Sequence, residues 1–258
     1  MASPRLRPGS RRALGWTALV LVAAACGPAR VARHGWEPAA GVESLLQVAA
    51  AELEGINDLS AEARVILTEP EGRSAATAFI TYKRPSRFRV DIRGPLFSHV
   101  FTALLDGDSV IVVARGRAWR GTARGGLLAQ LLEVDLGAYN LPYAFLGIVE
   151  PGHLDSDDPV AYTRADRAAV ALRDDGISRR LWVDLSRGFV TREEVYEGGM
   201  LAWSRQLQRY RRVGKGDVAV YLPREVQIRQ GARAIELSYT ACDVNQGISE
   251  SSFRRGIP

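Results

Sequence analysis

Three histidines and two cysteines are the chain's complement of soft metal ligands, spread as Cys26, His34, His99, His153 and Cys242 over 258 residues. A structural zinc site needs ligands in close pairs, or one helical turn apart, and none of the five has such a companion. Solvated or packed side chains are therefore expected. Asp155-Ser156-Asp157-Asp158 alternates carboxylates as a calcium loop does, but without the glycine turn or the closing bidentate glutamate, so it reads as a solvated acidic loop. Glu193 and Glu194 are neighbours in a strand-like segment and point to opposite faces, which rules them out as a paired acid and base. Gly121 to Gly126 is glycine-rich but has no Lys-Ser/Thr to hold phosphate, and no nucleophile elbow or dinucleotide fingerprint occurs. The expectation is a protein that is not an enzyme, with no catalytic residue, no metal and no cofactor, whose function lies in shape, surface or membrane attachment.

Attachment is written in the first 26 residues. Arg5, Arg7, Arg11 and Arg12 form a positive region, followed by an uncharged stretch, Ala13 to Ala25, of 13 residues. That is shorter than the roughly 20 helical residues a bilayer span requires, so 1–25 reads as an export signal peptide. It ends in Ala23-Ala24-Ala25-Cys26-Gly27, which resembles a bacterial lipobox with Ala where Leu is usual, and makes Cys26 the candidate lipid anchor. Two alternatives stand beside it: an ordinary A-x-A cleavage site that Cys26 merely follows, and a Cys26–Cys242 disulfide in an oxidising compartment. Residues 26–40 read as a lipidated N-terminus and tether, and 41–258 as one domain. The four leader arginines also account for most of the net charge, which falls from +5 to +1 without them. A nearly neutral body lacks the cation excess that nucleic-acid binding demands.

The elements of that domain follow from periodicity. Val42, Leu45, Leu46, Ala49 and Leu53 recur at helical spacing up to Gly55. Beyond residue 60 the period becomes two: in Arg87 to Arg93, Phe88, Val90 and Ile92 share one face and three arginines and an aspartate the other. Twelve such segments, joined mostly by short turns, predict antiparallel hairpins, with a break where 126–132 and 141–148 read as short apolar helices. So many strands suit one large curved sheet or barrel. Its inward faces are expected to carry Phe88, Val90, Ile92, Leu181, Val183, Leu185, Val226, Ile228, Ile235 and Leu237, as either an apolar ligand cavity or plain core.

An ordered series of short features then resembles the LolA and LolB lipoprotein-localisation family. A strand leads into the Pro-Leu tip Gly94-Pro95-Leu96-Phe97, another strand, the Asp106-Gly107-Asp108 turn and an apolar strand. Asn140-Leu141-Pro142-Tyr143 to Gly147 follows, then Leu181 to Phe189 around a D-x-x-x-G turn, and a tail from Val244-Asn245 to Phe253 and Pro258. The resemblance spans most of residues 42 to 258 and is closest to the LolB receptor and its uncharacterised lipoprotein relatives. It implies a mainly β (α+β) fold: an incomplete antiparallel β-barrel of about eleven to twelve strands with short helices as a lid over an apolar cavity. It also implies that Leu96, with Phe97 beside it, enters the membrane from a protruding loop. On the residues alone, the same two side chains tucking beneath a neighbouring loop is an equal alternative.

The functional expectation is a periplasm-facing, lipid-anchored monomer that takes acyl chains or lipoproteins into a cavity lined by Phe88, Val90, Ile92, Leu181, Val183, Val226 and Ile228. It would help deliver them to the outer membrane, with a periplasmic carrier or envelope protein as partner. The alternative is a non-catalytic structural or adaptor lipoprotein with a solid barrel, which binds protein through its open sheet edges.

Overall fold

A computed structural model of the chain describes residues 37–38, 41, 44–45, 47, 54–95, 98–122, 140–148, 160–174, 177–214 and 219–254. The period-two segments are strands: β1 (Glu37–Pro38), β2 (Asp58–Glu69), β3 (Gly72–Lys83), β4 (Arg87–Arg93), β5 (His99–Asp106), β6 (Ser109–Ala114), β7 (Arg117–Thr122), β8 (Val160–Arg164), β9 (Arg167–Asp174), β10 (Ile177–Asp184), β11 (Phe189–Glu197), β12 (Met200–Gln208), β13 (Arg211–Val213), β14 (Val220–Leu222), β15 (Glu225–Gln230) and β16 (Arg233–Val244). Two short helices, Asn140–Leu146 and Ser251–Arg254, accompany them. Ser44, Leu45, Gln47 and Glu54 are helical as the spacing predicts, and Leu45 packs on the core.

Fourteen strands form one antiparallel sheet in the order β1-β8-β9-β10-β11-β12-β15-β16-β2-β3-β4-β5-β6-β7, and β13 pairs with β14 separately. Two meanders, β2 to β7 and β8 to β16, meet where β16 lies against β2. Both seam strands are 12 residues long. The ends β1 and β7 do not pair with each other, so the sheet is an incomplete barrel. Register shifts at Ile92/Arg93, Trp182/Val183, Val195/Tyr196 and Tyr239/Ala241 mark bulges, the usual means by which a sheet bends around a core.

Each of the twelve expected segments contains a strand, and the structure adds β1, β8 and β14 and divides one expected segment into β12 and β13. β1 shows that the expected tether reaches the sheet edge, where Glu37 and Pro38 pair with Thr163 and Tyr162 of β8. The segment 201–212 is not one strand: it breaks at Arg209, whose backbone has a left-handed φ of 56°, and β13 follows separately. Leu185 is also not inward. It lies beyond the end of β10, where the strand gives way to the turn before β11, and is exposed. Cys26, His34, Leu96, Phe97, His153, Asp155 to Asp158 and the helix expected over 126–132 lie outside the described residues.

Candidate functional site

Alternation carries Phe88, Val90 and Ile92 of β4 to the concave side, opposite Tyr82, Ile80 and Ala78 of β3. Leu181 and Val183 of β10 and Val226 and Ile228 of β15 face the same interior. All seven expected cavity residues are buried in one apolar cluster, which also contains Ala144, Phe145, Leu146 and Ile148. The helix Asn140–Leu146 thus plugs the concave side. Phe145 meets Phe88 edge to face, with ring centroids 6.1 Å apart.

A helix leaves its last four carbonyls without partners inside the helix, and buried carbonyls must find donors. Part of the supply is local: Gly147, at φ 72°, turns the chain so that its N–H and that of Ile148 donate to the Tyr143 carbonyl at 2.9 and 3.2 Å. The rest comes from the barrel wall. Arg205 of β12 donates through Nη1 to the Tyr143 carbonyl at 2.8 Å and through Nη2 to the Ile148 carbonyl at 2.7 Å. The Tyr239 hydroxyl of β16 donates to the Phe145 carbonyl. Burial pushes the Tyr239 hydroxyl pKa well above its ordinary value, so it stays a donor.

Arg205 belongs to a buried cluster of three charges. Its cross-strand neighbour Glu193 lies 2.6 Å from its Nε, held by charge rather than by an aligned hydrogen bond. Glu193 also accepts from Arg179 Nη1 of β10 at 2.9 Å. Arg205, Glu193 and Arg179 are 2%, 1% and 8% exposed. The triad leaves one net positive charge beneath the carbonyl end of the plug helix, where the helix dipole favours it. The opposite-face reading of Glu193 and Glu194 holds: Glu194 projects outward, covered by Arg180, Arg192 and Tyr196. The inward triad, however, was not anticipated. Its signal was parity, since Arg179 alternates in phase with Leu181 and Val183.

Beside the plug a cleft of about 280 Å³ opens between Leu146, Leu59, Tyr239, Leu222, Pro223 and Cys242, with Arg211, Arg212 and Arg224 also among its lining residues. None of the seven expected cavity residues lines it. Cys242 is a free thiol there, and burial, with Asp243 nearby, pushes its pKa up to about 12. No group of three or more potential metal ligands occurs among the described residues.

On the convex side, β4 anchors the C-terminus. Arg89 grips both oxygens of Asp91, at 2.7 and 2.8 Å, and donates to the Phe253 carbonyl of the Ser251–Arg254 helix at 3.1 Å. Thr102 donates to Asp91, and His99, which opens β5, lies 2.9 Å from the Thr102 hydroxyl. Burial alone would raise the Asp91 pKa, but the hydrogen bonds from Arg89 and Thr102, with the guanidinium charges, hold it below the usual carboxylate range. The outward charges here staple the fold.

No protein-family model and no curated protein matches the sequence. The fold does have solved counterparts. A domain assigned to outer membrane lipoprotein sorting from Vibrio parahaemolyticus superposes with a TM-score of 0.61 at 12% identity, over 83% of this chain and 97% of that one. A DUF1329 family protein from Desulfovibrio piger gives 0.62 at 11% identity, over 84% and 98%. A LolA superfamily protein from Nitrosomonas europaea gives 0.53 at 15% identity, over 83% and 98%. The chain has the LolA/LolB-like fold that its sequence features imply.

Proposed function

We propose that this protein is an envelope lipoprotein, anchored through acylated Cys26, that accepts the acyl chains of lipids or lipoproteins in its barrel and helps deliver them to the outer membrane. The observation that carries the reading is the plug. A short helix occupies the apolar concave side, and side chains of the wall, Arg205 and Tyr239, hold its carbonyls. A segment tied at its polar end by a few hydrogen bonds can leave as a unit, and its departure would expose Phe88, Val90, Ile92, Leu181, Val183, Val226 and Ile228 to an incoming chain. With the plug seated, Phe145 packs on Phe88 and all seven of these residues are buried. Uptake therefore requires plug movement. Leu96 and Phe97, between β4 and β5 in the sequence, are assigned to membrane insertion in this reading.

The test is binding of a fluorescent fatty acid to the full chain. Saturable binding, competed by lipopeptide and strengthened in Phe145→Ala, is expected. A folded chain that takes up no probe in either form overturns the proposal. Separately, Leu96→Glu is expected to keep the fold and lose delivery. The close packing of the plug against Phe88 favours the second reading, a solid adaptor, and failure of probe uptake selects it.

A further inference from the structure

The large apolar side chains that remain exposed are distributed unevenly. Among the described residues there are seven: Val100, Val160, Ile177, Leu185, Met200, Leu201 and Tyr221. Strand direction assigns each to an end of the sheet. β10 starts at Ile177, which pairs with Glu197 at the finish of β11, and Met200 opens β12 opposite Glu197. Val100 follows the turn that opens β5, and Val160 opens β8 opposite the last part of β9. Tracing the antiparallel registers across the sheet puts these five at one end, with the turn that joins β4 to β5. Leu185 belongs to the other end, as does Tyr221 through its ring contact with Phe189 at the start of β11.

The sharpest of these features is the β11–β12 turn. Gly198 and Gly199 have φ of 55° and 82°, the consecutive left-handed pair of a tight hairpin turn. A Cβ built on either glycine would meet nothing within 4 Å, so the tip stands clear of the rest of the protein. Directly after it come Met200, 76% exposed, and Leu201, 52% exposed. We infer that this end of the sheet is the membrane-facing end, and that Met200 and Leu201 enter the bilayer interface.

A lipid surface fits better than a folded partner because the five side chains come from four strands, β5, β8, β10 and β12, separated in the sheet by strands that contribute none. What they share is an end, and a plane touches all the tips of one end at once. A protein partner covers a contiguous patch instead. Exposed Arg115, Arg117 and Arg229 belong to the same end and suit phosphate headgroups, with Glu71 and Glu197 among them moderating the charge. The inference rests on the proposed membrane attachment but not on cargo binding.

The experiment uses the acylated full-length chain in phosphatidylethanolamine/phosphatidylglycerol vesicles, with an environment-sensitive fluorophore at Met200→Cys or, as the opposite-end control, Leu185→Cys. Each probe is placed in a Cys242→Ser background, so that the free thiol lining the cleft takes no label. Lipid-borne quenchers are expected to dim the probe at position 200 several-fold more than at 185, and Met200→Glu/Leu201→Glu to abolish quenching of a probe at Ile177→Cys. Equal quenching at positions 200 and 185, or none at 200, overturns the inference and, in the second case, directs the rim to a soluble partner. Fatty-acid uptake measured on the same chains reports on cargo independently: lost uptake with retained quenching at 200 defeats only the carrier reading.

Discussion

Arg205 joins two tasks, neutralising Glu193 and satisfying the buried carbonyls of Tyr143 and Ile148. Removing it leaves Glu193 with Arg179 alone and takes the side-chain donor from the Ile148 carbonyl in an apolar interior, so Arg205→Leu is expected to cost about 3 kcal/mol in urea unfolding. Replacing the whole triad, Arg179→Met/Glu193→Leu/Arg205→Leu, is expected to restore part of that loss, since no ion pair is then left desolvated in the interior. A triple variant no more stable than the single one would show that the carbonyl contacts, not the charges, dominate. Asp91 gives a pH signature. Its folded-state pKa is lowered, so its contribution is complete above the ordinary aspartate value of about 3.9 and is lost as pH falls through the lower folded value. Asp91→Asn is expected to cost about 2 kcal/mol at neutral pH. The gap in thermal midpoint between the two proteins should then close below about pH 4, and a gap unchanged at pH 2 would refute the assignment. The triad escaped the sequence reading because charged residues in an alternating strand are read as the wet face by default. Counting phase from Leu181 and Val183 would have turned Arg179 inward.

The plug depends on its C-terminal glycine. A Cβ on Gly147 would lie 2.4 Å from Pro223 Cγ and 3.1 Å from Val226 Cγ2, in a left-handed backbone conformation that a side chain disfavours. Gly147→Ala is expected to destabilise by about 2 to 5 kcal/mol, combining backbone strain with overpacking. Gly107→Ala, in an open turn of similar φ, should lose only about 1 to 2 kcal/mol. Similar losses in both variants would show that Gly147 matters for its φ alone. The helix itself was legible, because the apolar run from Leu141 to Ile148 differs in kind from the alternating segments around it. The strands were legible for the complementary reason, one face being dry. β1, β13 and β14 were not, since two or three residues are too few to show a period. Which end of the sheet keeps its apolar side chains uncovered was equally beyond the sequence, because exposure depends on strand direction and on what packs across each tip.

The two meanders become one sheet at the β2–β16 seam, and the joint is locked at one end by side chains. Asn245, at φ 58°, accepts from the Asn57 N–H at 2.8 Å and donates to the Gly55 carbonyl at 2.8 Å. Asp58 returns the favour to the tail by accepting from the N–H groups of Gln246 and Gly247 at 2.8 and 2.9 Å. Asn245→Ala is expected to lower stability by about 2 to 3 kcal/mol, and Asn245→Gly by less, because glycine loses the same bonds without the strained backbone. Equal losses in urea titration would mean the left-handed conformation carries no cost here. The seam also sets a clock. Asn57 and Asn245 are 188 residues apart, so the final neighbour of β2 is synthesised long after β2 itself. At roughly 5 to 20 residues per second, one flank of β2 waits on the order of ten to forty seconds as an unpaired row of backbone donors and acceptors. During that interval the nascent chain is a template for mispairing, and a holding chaperone has its clearest target there.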